Sequence, residues 1–135
     1  MTTKNIFVNL CVQDLNKSVE FFTKLGFTFN AQFTDETATS MIMHDNIFFM
    51  LIVPSRFKEF TKKEIVDSHT STEVINAFSC ESKAEVDVMF EKAIAAGGKK
   101  FRETEDMGFM YLRSFEDLDG HIWEPMWMDP ATVQK

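Results

Sequence analysis

Residues 6–12 alternate apolar and polar side chains in a run rich in branched residues, which predicts a strand. Asp14 follows as a helix N-cap, and Leu15, Val19 and Phe22 share one helical face until Gly26 stops the helix. Residues 27–33 and 38–44 read as strands, and Asp45-Asn46 turns the chain into a further strand over 47–53. After a polar stretch, 62–72, the order restarts with a strand over 73–80. A helix then opens at the capping box Ser82-Lys83-Ala84-Glu85, presents Val86, Met89, Phe90 and Ala93 on one face, and stops at Gly97-Gly98. Strands over 99–102, 107–115 and 122–128 complete the second half, with Asp119-Gly120 as the last turn. Each half reads βαβββ.

The halves superpose without a gap, Leu10 on Phe78, Asp14 on Ser82, Phe22 on Phe90 and Lys24 on Lys92. A second gapless block puts Asp45-Asn46 on Asp119-Gly120, Phe49 on Trp123 and Met50 on Glu124, so the pattern predicts an internal duplication. The 135 residues are too few for two ordinary independent cores. The expected fold is therefore α+β, one domain over 1–135 built from tandem modules at about 4–61 and 72–130.

Composition narrows the function. The 44% hydrophobic and 26% charged content is that of a soluble globular protein, while 15 Phe and 9 Met could fill a core or line a cavity for apolar ligands. A formal charge of -7 without a basic cluster repels phosphate backbones, so no nucleic-acid partner is expected. The longest apolar run, 47–53, is too short to span a bilayer and residues 1–5 hold no apolar signal core, which predicts a cytoplasmic protein with no membrane partner. Cys11 and Cys80 lie in strand runs without a CxxC spacing and read as buried thiols.

Two motifs carry a family resemblance. Phe7-Val8-Asn9-Leu10-Cys11-Val12-Gln13-Asp14-Leu15, running into Ser18-Val19-Glu20-Phe21-Phe22 and Leu25-Gly26-Phe27, is the first; Phe115-Glu116-Asp117-Leu118-Asp119-Gly120-His121-Ile122-Trp123-Glu124 is the second. Together they resemble the vicinal oxygen chelate superfamily, which includes glyoxalases, extradiol dioxygenases, and bleomycin and fosfomycin resistance proteins. The resemblance implies paired modules whose curved mixed sheets form an open cup with helices outside, often in a homodimer. It also implies metal-ligand positions that fall here on Phe7, Met50, Ile75 and Glu124. Only Glu124 of these is a metal ligand, and one carboxylate does not hold a transition metal. No cofactor is therefore expected, a divalent metal being disfavoured, and His44, His69 and His121 form no HxH or HxxxH pair.

Phe7, Met50 and Ile75, with Asn9 and Met126, are the candidate ligand-pocket residues, and Met41 and Met43 are weaker ones. Glu124 shares a strand face with Ile122, Met126 and Met128. If buried and alone its carboxyl becomes a candidate acid or base; the alternative is a structural hydrogen bond to Asn9 or Arg113. Tyr111 and Arg113 could grip an anionic or hydroxylated compound, or Arg113 could pair with Glu103 or Glu105 at the rim. Trp123 and Trp127, opposite Glu124, read as core, and segment 54–63 with Phe57 and Phe60 as a surface helix, a lid or a dimer contact.

The leading expectation is a protein that binds a small apolar or aromatic compound without a transition metal. The alternatives are a lyase or isomerase of lactoylglutathione-lyase type or a dioxygenase, either metal-free through Glu124 or using ligands other than those positions. A module that binds a protein partner through a collapsed cup is the third class.

Overall fold

The computed structural model describes residues 1–132, and the chain divides into two compact units, Met1–Val66 and a second from Asp67 on. The first unit runs β1 (Ile6–Cys11), α1 (Leu15–Lys24), β2 (Thr28–Asn30), β3 (Ala38–His44), β4 (Ile47–Ile52) and a single turn of helix, α2 (Pro54–Phe57). Its sheet has the order β1-β4-β3-β2, with β1 parallel to β4 and the other pairs antiparallel. The second unit repeats this with β5 (Ile75–Ser79), α3 (Lys83–Ala95), β6 (Lys99–Asp106), β7 (Met110–Glu116) and β8 (Ile122–Met128), in the order β5-β8-β7-β6. β5 is parallel to β8, so both units are βαβββ modules.

Local chemistry sets the helix ends. The Asp14 carboxylate accepts the Lys17 N–H at 3.1 Å, satisfying a donor that the first turn of α1 leaves unmade. Gly26, at φ +103, takes the left-handed residue after α1, and the Phe27 N–H returns to the Phe22 carbonyl. Ser82 caps α3 by accepting the Glu85 N–H, but the Glu85 carboxylate reaches back to the Glu81 N–H, one residue earlier than a capping box prescribes.

Helix packing fills each core. Leu15, Ser18, Phe21 and Phe22 of α1 are buried against β1 and β4, where Leu10, Phe49 and Leu51 are buried; Val19 is only half-buried. Val86, Phe90 and Ala93 of α3 are buried beside Phe115 and Trp123. Phe78 meets Trp123 edge-on at 6.4 Å between centroids, and Trp123 is fully buried as expected.

Several strand ends differ from expectation. The strand expected over 27–33 stops at Asn30, whose side chain accepts the Gln32 N–H at 2.9 Å and starts a 3-10 turn, a local bond that competes with the ladder. β6 continues to Asp106 and β7 starts only at Met110, because Gly108 at φ +80 makes the hairpin turn there, its N–H on the Asp106 carboxylate. Cys11 and Cys80 form no disulfide and are only half-buried; burial, aided by Glu85, pushes the Cys80 thiol up to about 11.

The registers match the internal repeat. Phe7 lies opposite Phe48 and Ile75 opposite Ile122; Leu10 lies opposite Leu51 and Phe78 opposite Pro125. These are the pairs that result from laying residue 10 on 78 and residue 49 on 123, so one alignment serves both sheets.

Candidate functional site

Each sheet has one face under its own helix and one opposite it, and alternation assigns side chains to them. In the first unit Val8, Leu10 and Val12 point under α1, and Phe7, Asn9 and Cys11 point the other way. Cross-strand pairing extends that second face to Phe48, Met50 and Ile52 on β4 and to Ile42 and Ser40 on β3. Phe7 stacks on Phe48 at 4.9 Å with 14° between planes and remains 54% exposed. Met50 is half-buried, and Asn9, also exposed, donates a long bond of 3.4 Å to the Phe7 carbonyl. The structure thus places Phe7, Asn9 and Met50 together on one face. Met41, weighed for the same role, is fully buried on the α1 side, and Met43 is half-buried at the irregularity of β3 between Ile42 and His44.

In the second unit the corresponding face carries Ile75, which is 53% exposed, with Ala77, Ile122, Glu124, Met126, Leu112 and Ser114. The Glu124 side chain is 10% exposed and is not alone. Ser114 Oγ donates to Glu124 Oε2 at 2.6 Å and Arg102 Nε donates to the same oxygen at 2.9 Å. Arg102 Nη1 also donates to Glu105 at 2.7 Å. Burial pushes the Glu124 carboxyl up, but the bonds from Arg102 and Ser114 and the guanidinium charge outweigh it and hold it below its ordinary value. Glu124 is therefore a fixed carboxylate at neutral pH and not a raised acid, and its partners are Arg102 and Ser114 in place of the expected Asn9 or Arg113.

Two irregularities in β6 bring Arg102 and Glu105 there. Lys100 pairs with Phe115 but Arg102 pairs with Ser114, so an extra residue in β6 turns Arg102 onto the Glu124 face; a second shift brings Glu105 opposite Leu112 on that same face. The resulting row across the sheet is Ala77, Glu124, Ser114, Arg102. Its repeat counterpart in the first unit, Asn9, Met50, Ser40, Asn30, carries no charge.

Tyr111 and Arg113 are corrected by the structure. Tyr111 lies opposite Trp127 and shares the α3 side with Phe115 and Trp123, where its hydroxyl donates to Asp87 at 2.6 Å. Arg113 donates to Asp87 at 3.1 Å and Glu91 at 3.4 Å, and its guanidinium lies 3.8 Å from the centre of the Phe90 ring. The bond to Asp87 and partial burial push the Tyr111 hydroxyl up. Both side chains fasten α3 to its sheet; neither reaches the Glu124 face, and the pairing expected with Glu103 or Glu105 is not formed. Steric parity with Trp123 and Phe115 is the signal that would have placed them.

Asp117, quoted in the second motif but given no role of its own from the sequence, is buried and accepts the Asp119 and His121 N–H groups and the Trp123 indole N–H at 2.9–3.0 Å. It sets the hairpin that delivers Glu124. Gly120, at φ +86, lies so close to the Ser68–His69 backbone that a Cβ would approach it to 2.7 Å.

The donor set does not fit a transition metal. Phe7, Met50 and Ile75 offer no hard or imidazole donor, Glu124 is committed to a guanidinium, and among the described residues no three His, Cys, Asp or Glu side chains group to hold an ion. Among the same residues no helix is long and apolar enough to cross a membrane.

Comparison with known proteins agrees with this architecture. Residues 4–44 match the bleomycin resistance protein-like N-terminal family, and no curated protein matches the chain. A hypothetical protein of S. aureus is 26% identical with a TM-score of 0.80, over 94% of this chain and 95% of that one. A glyoxalase-related enzyme from Fulvimarina pelagi is 21% identical with a TM-score of 0.78, over 93% and 88%. A glyoxalase/bleomycin resistance protein/dioxygenase family enzyme from Burkholderia phytofirmans PsJN is 15% identical with a TM-score of 0.77, over 90% and 96%. The first module thus matches the bleomycin resistance protein-like N-terminal family in sequence over residues 4–44, and the chain shares its fold with solved structures named as glyoxalase, bleomycin resistance and dioxygenase proteins.

Proposed function

We propose that this protein binds a small apolar or aromatic compound on the sheet faces opposite its helices, without a transition metal. The observation that carries this reading is the exposure of Phe7 at 54% and Ile75 at 53%. They occupy equivalent positions in the repeat, and both leave large apolar surface open where burial against a ligand gains about 25 cal/mol per Å². The stacked Phe7–Phe48 pair adds a ring surface suited to an aromatic plane. Asn9 and Met50 would supply flanking contacts on the first unit's face and Met126 on the second unit's, the methionines adapting to ligand shape. Sequestration is the mode of action this reading gives such binding, in keeping with the match of residues 4–44 to a bleomycin resistance protein-like family. The same reading has the protein working as a cytoplasmic homodimer, which sedimentation and cell fractionation test.

A second reading, a lyase, isomerase or dioxygenase, draws on Glu124 as a fixed carboxylate on an otherwise largely apolar face and on the glyoxalase-related enzyme among the relatives. It requires a metal held by residues other than those above, or proton transfer by a carboxylate that Arg102 keeps ionised. Elemental analysis of the freshly purified protein, followed by a thermal-shift screen of naphthalene-sized compounds, separates the two. Ligand binding to the folded state alone raises the melting temperature. A shift with aromatic compounds in metal-free protein supports binding; one tightly held zinc, nickel, manganese or iron per chain overturns it.

A further inference from the structure

The two bonds that fix Glu124 both end on the same oxygen. Arg102 Nε and Ser114 Oγ donate to Oε2, and no hydrogen bond from the described residues reaches Oε1. A side chain nine-tenths buried thus presents one acceptor atom of a carboxylate with its donor missing, on a face otherwise lined by Ile75, Ala77, Ile122, Leu112 and Met126. Oε1 is not itself sealed from solvent, because among the described residues the fully buried side-chain polar atoms without a partner are Asn76 Nδ2 and Arg113 Nε. It is therefore open to a donor supplied by a ligand, and a charged acceptor makes a stronger hydrogen bond than a neutral one.

We propose that Glu124 Oε1 is the polar anchor of the bound compound and accepts a hydrogen bond from a protonated amine on an otherwise apolar or aromatic molecule. This rests on the reading that an apolar compound occupies this face, and adds which polar group that compound carries. Charge selects the amine: Glu124 and Glu105 bring two carboxylates to one guanidinium, leaving the cluster with a net negative charge. Lys99 and Glu116, opposite each other at the end of the face, cancel. An anionic substituent meets Oε1 with no donor to offer and is rejected. Arg102 and Ser114 are positioning residues: by occupying Oε2 they fix the rotamer that aims Oε1.

Calorimetric titration with naphthylmethylamine, methylnaphthalene and naphthoate tests this on the wild type and on Glu124→Gln. The amine binds the wild type about tenfold more tightly than methylnaphthalene, the yield of one charge-assisted hydrogen bond, and naphthoate binds most weakly. Glu124→Gln loses the amine preference and keeps its affinity for methylnaphthalene. The carboxyl carbon resonance of wild-type Glu124 moves with the amine and not with methylnaphthalene, a readout independent of how the variant folds. Methylnaphthalene binding without any gain from the amine overturns the anchor alone, as does naphthoate binding most tightly. Failure of all three compounds to bind overturns the apolar-ligand reading beneath it.

Discussion

Arg102 reaches Glu124 across the intervening strand β7, Nε to Oε2 at 2.9 Å, because β6 gains a residue between Lys100 and Arg102 relative to its partner. The contact gives the face its only buried carboxylate in ionised form. It also commits Oε2, one of the two oxygens through which the second module could have offered a metal ligand. A bulge in an edge strand therefore determines the chemistry of the face.

Removing either partner follows from that geometry. Arg102→Met lowers stability by about 1–2 kcal/mol, below the range for fully buried pairs because the arginine is a third exposed. The pH dependence carries the sign. The folded pKa of Glu124 lies below its ordinary 4.5, so the stability it contributes is present above pH 4.5 and lost as pH falls through the folded value. Urea unfolding of wild type and Glu124→Gln between pH 7 and pH 3 shows a gap that narrows below pH 4.5; a gap constant with pH contradicts the ionised pair.

Tyr111→Phe separates structural from ligand-binding roles on β7. Loss of the bond to Asp87 costs about 1 kcal/mol in thermal unfolding, since the site is part-exposed, and leaves aromatic-ligand affinity unchanged. A drop in affinity without a drop in stability would return Tyr111 to the ligand face.

The two hairpin glycines make a matched pair. Gly108→Ala places an alanine at positive φ with nothing within 4 Å and costs about 1 kcal/mol. Gly120→Ala adds a 2.7 Å approach to the Ser68–His69 backbone and costs more, about 2–4 kcal/mol in chemical denaturation. Equal costs would show that this approach is absent in solution.

Much of this was legible in the sequence where one rule acted alone. Period-two alternation located β1, the turns at Asp45-Asn46 and Asp119-Gly120 introduced β4 and β8, Asp14 and Ser82 announced their helices, and the gapless repeat made Phe7 and Ile75 equivalent, as their matching registers are. Legibility failed where backbone irregularity resets parity. Arithmetic alternation along β6 cannot place Arg102 and Glu105, three residues apart, on one face; the register shift between them does. Tyr111 and Arg113 were within reach, because counting in twos from Phe115 puts them with the buried rings. Asn30 ended β2 through a side-chain bond that hydrophobic pattern does not register.

The most direct test of the central claim is calorimetric titration of chelator-treated protein with an uncharged aromatic probe, naphthol, in wild type and Phe7→Ala. Phe7 projects from an edge strand more than half exposed, so its truncation removes ligand contact with little core. The predicted result is binding to the metal-free wild type and about tenfold weaker binding to the variant, the value of one lost ring contact. Binding that appears only after zinc, nickel, manganese or ferrous iron is restored, or that is indifferent to Phe7, would contradict a metal-free apolar site.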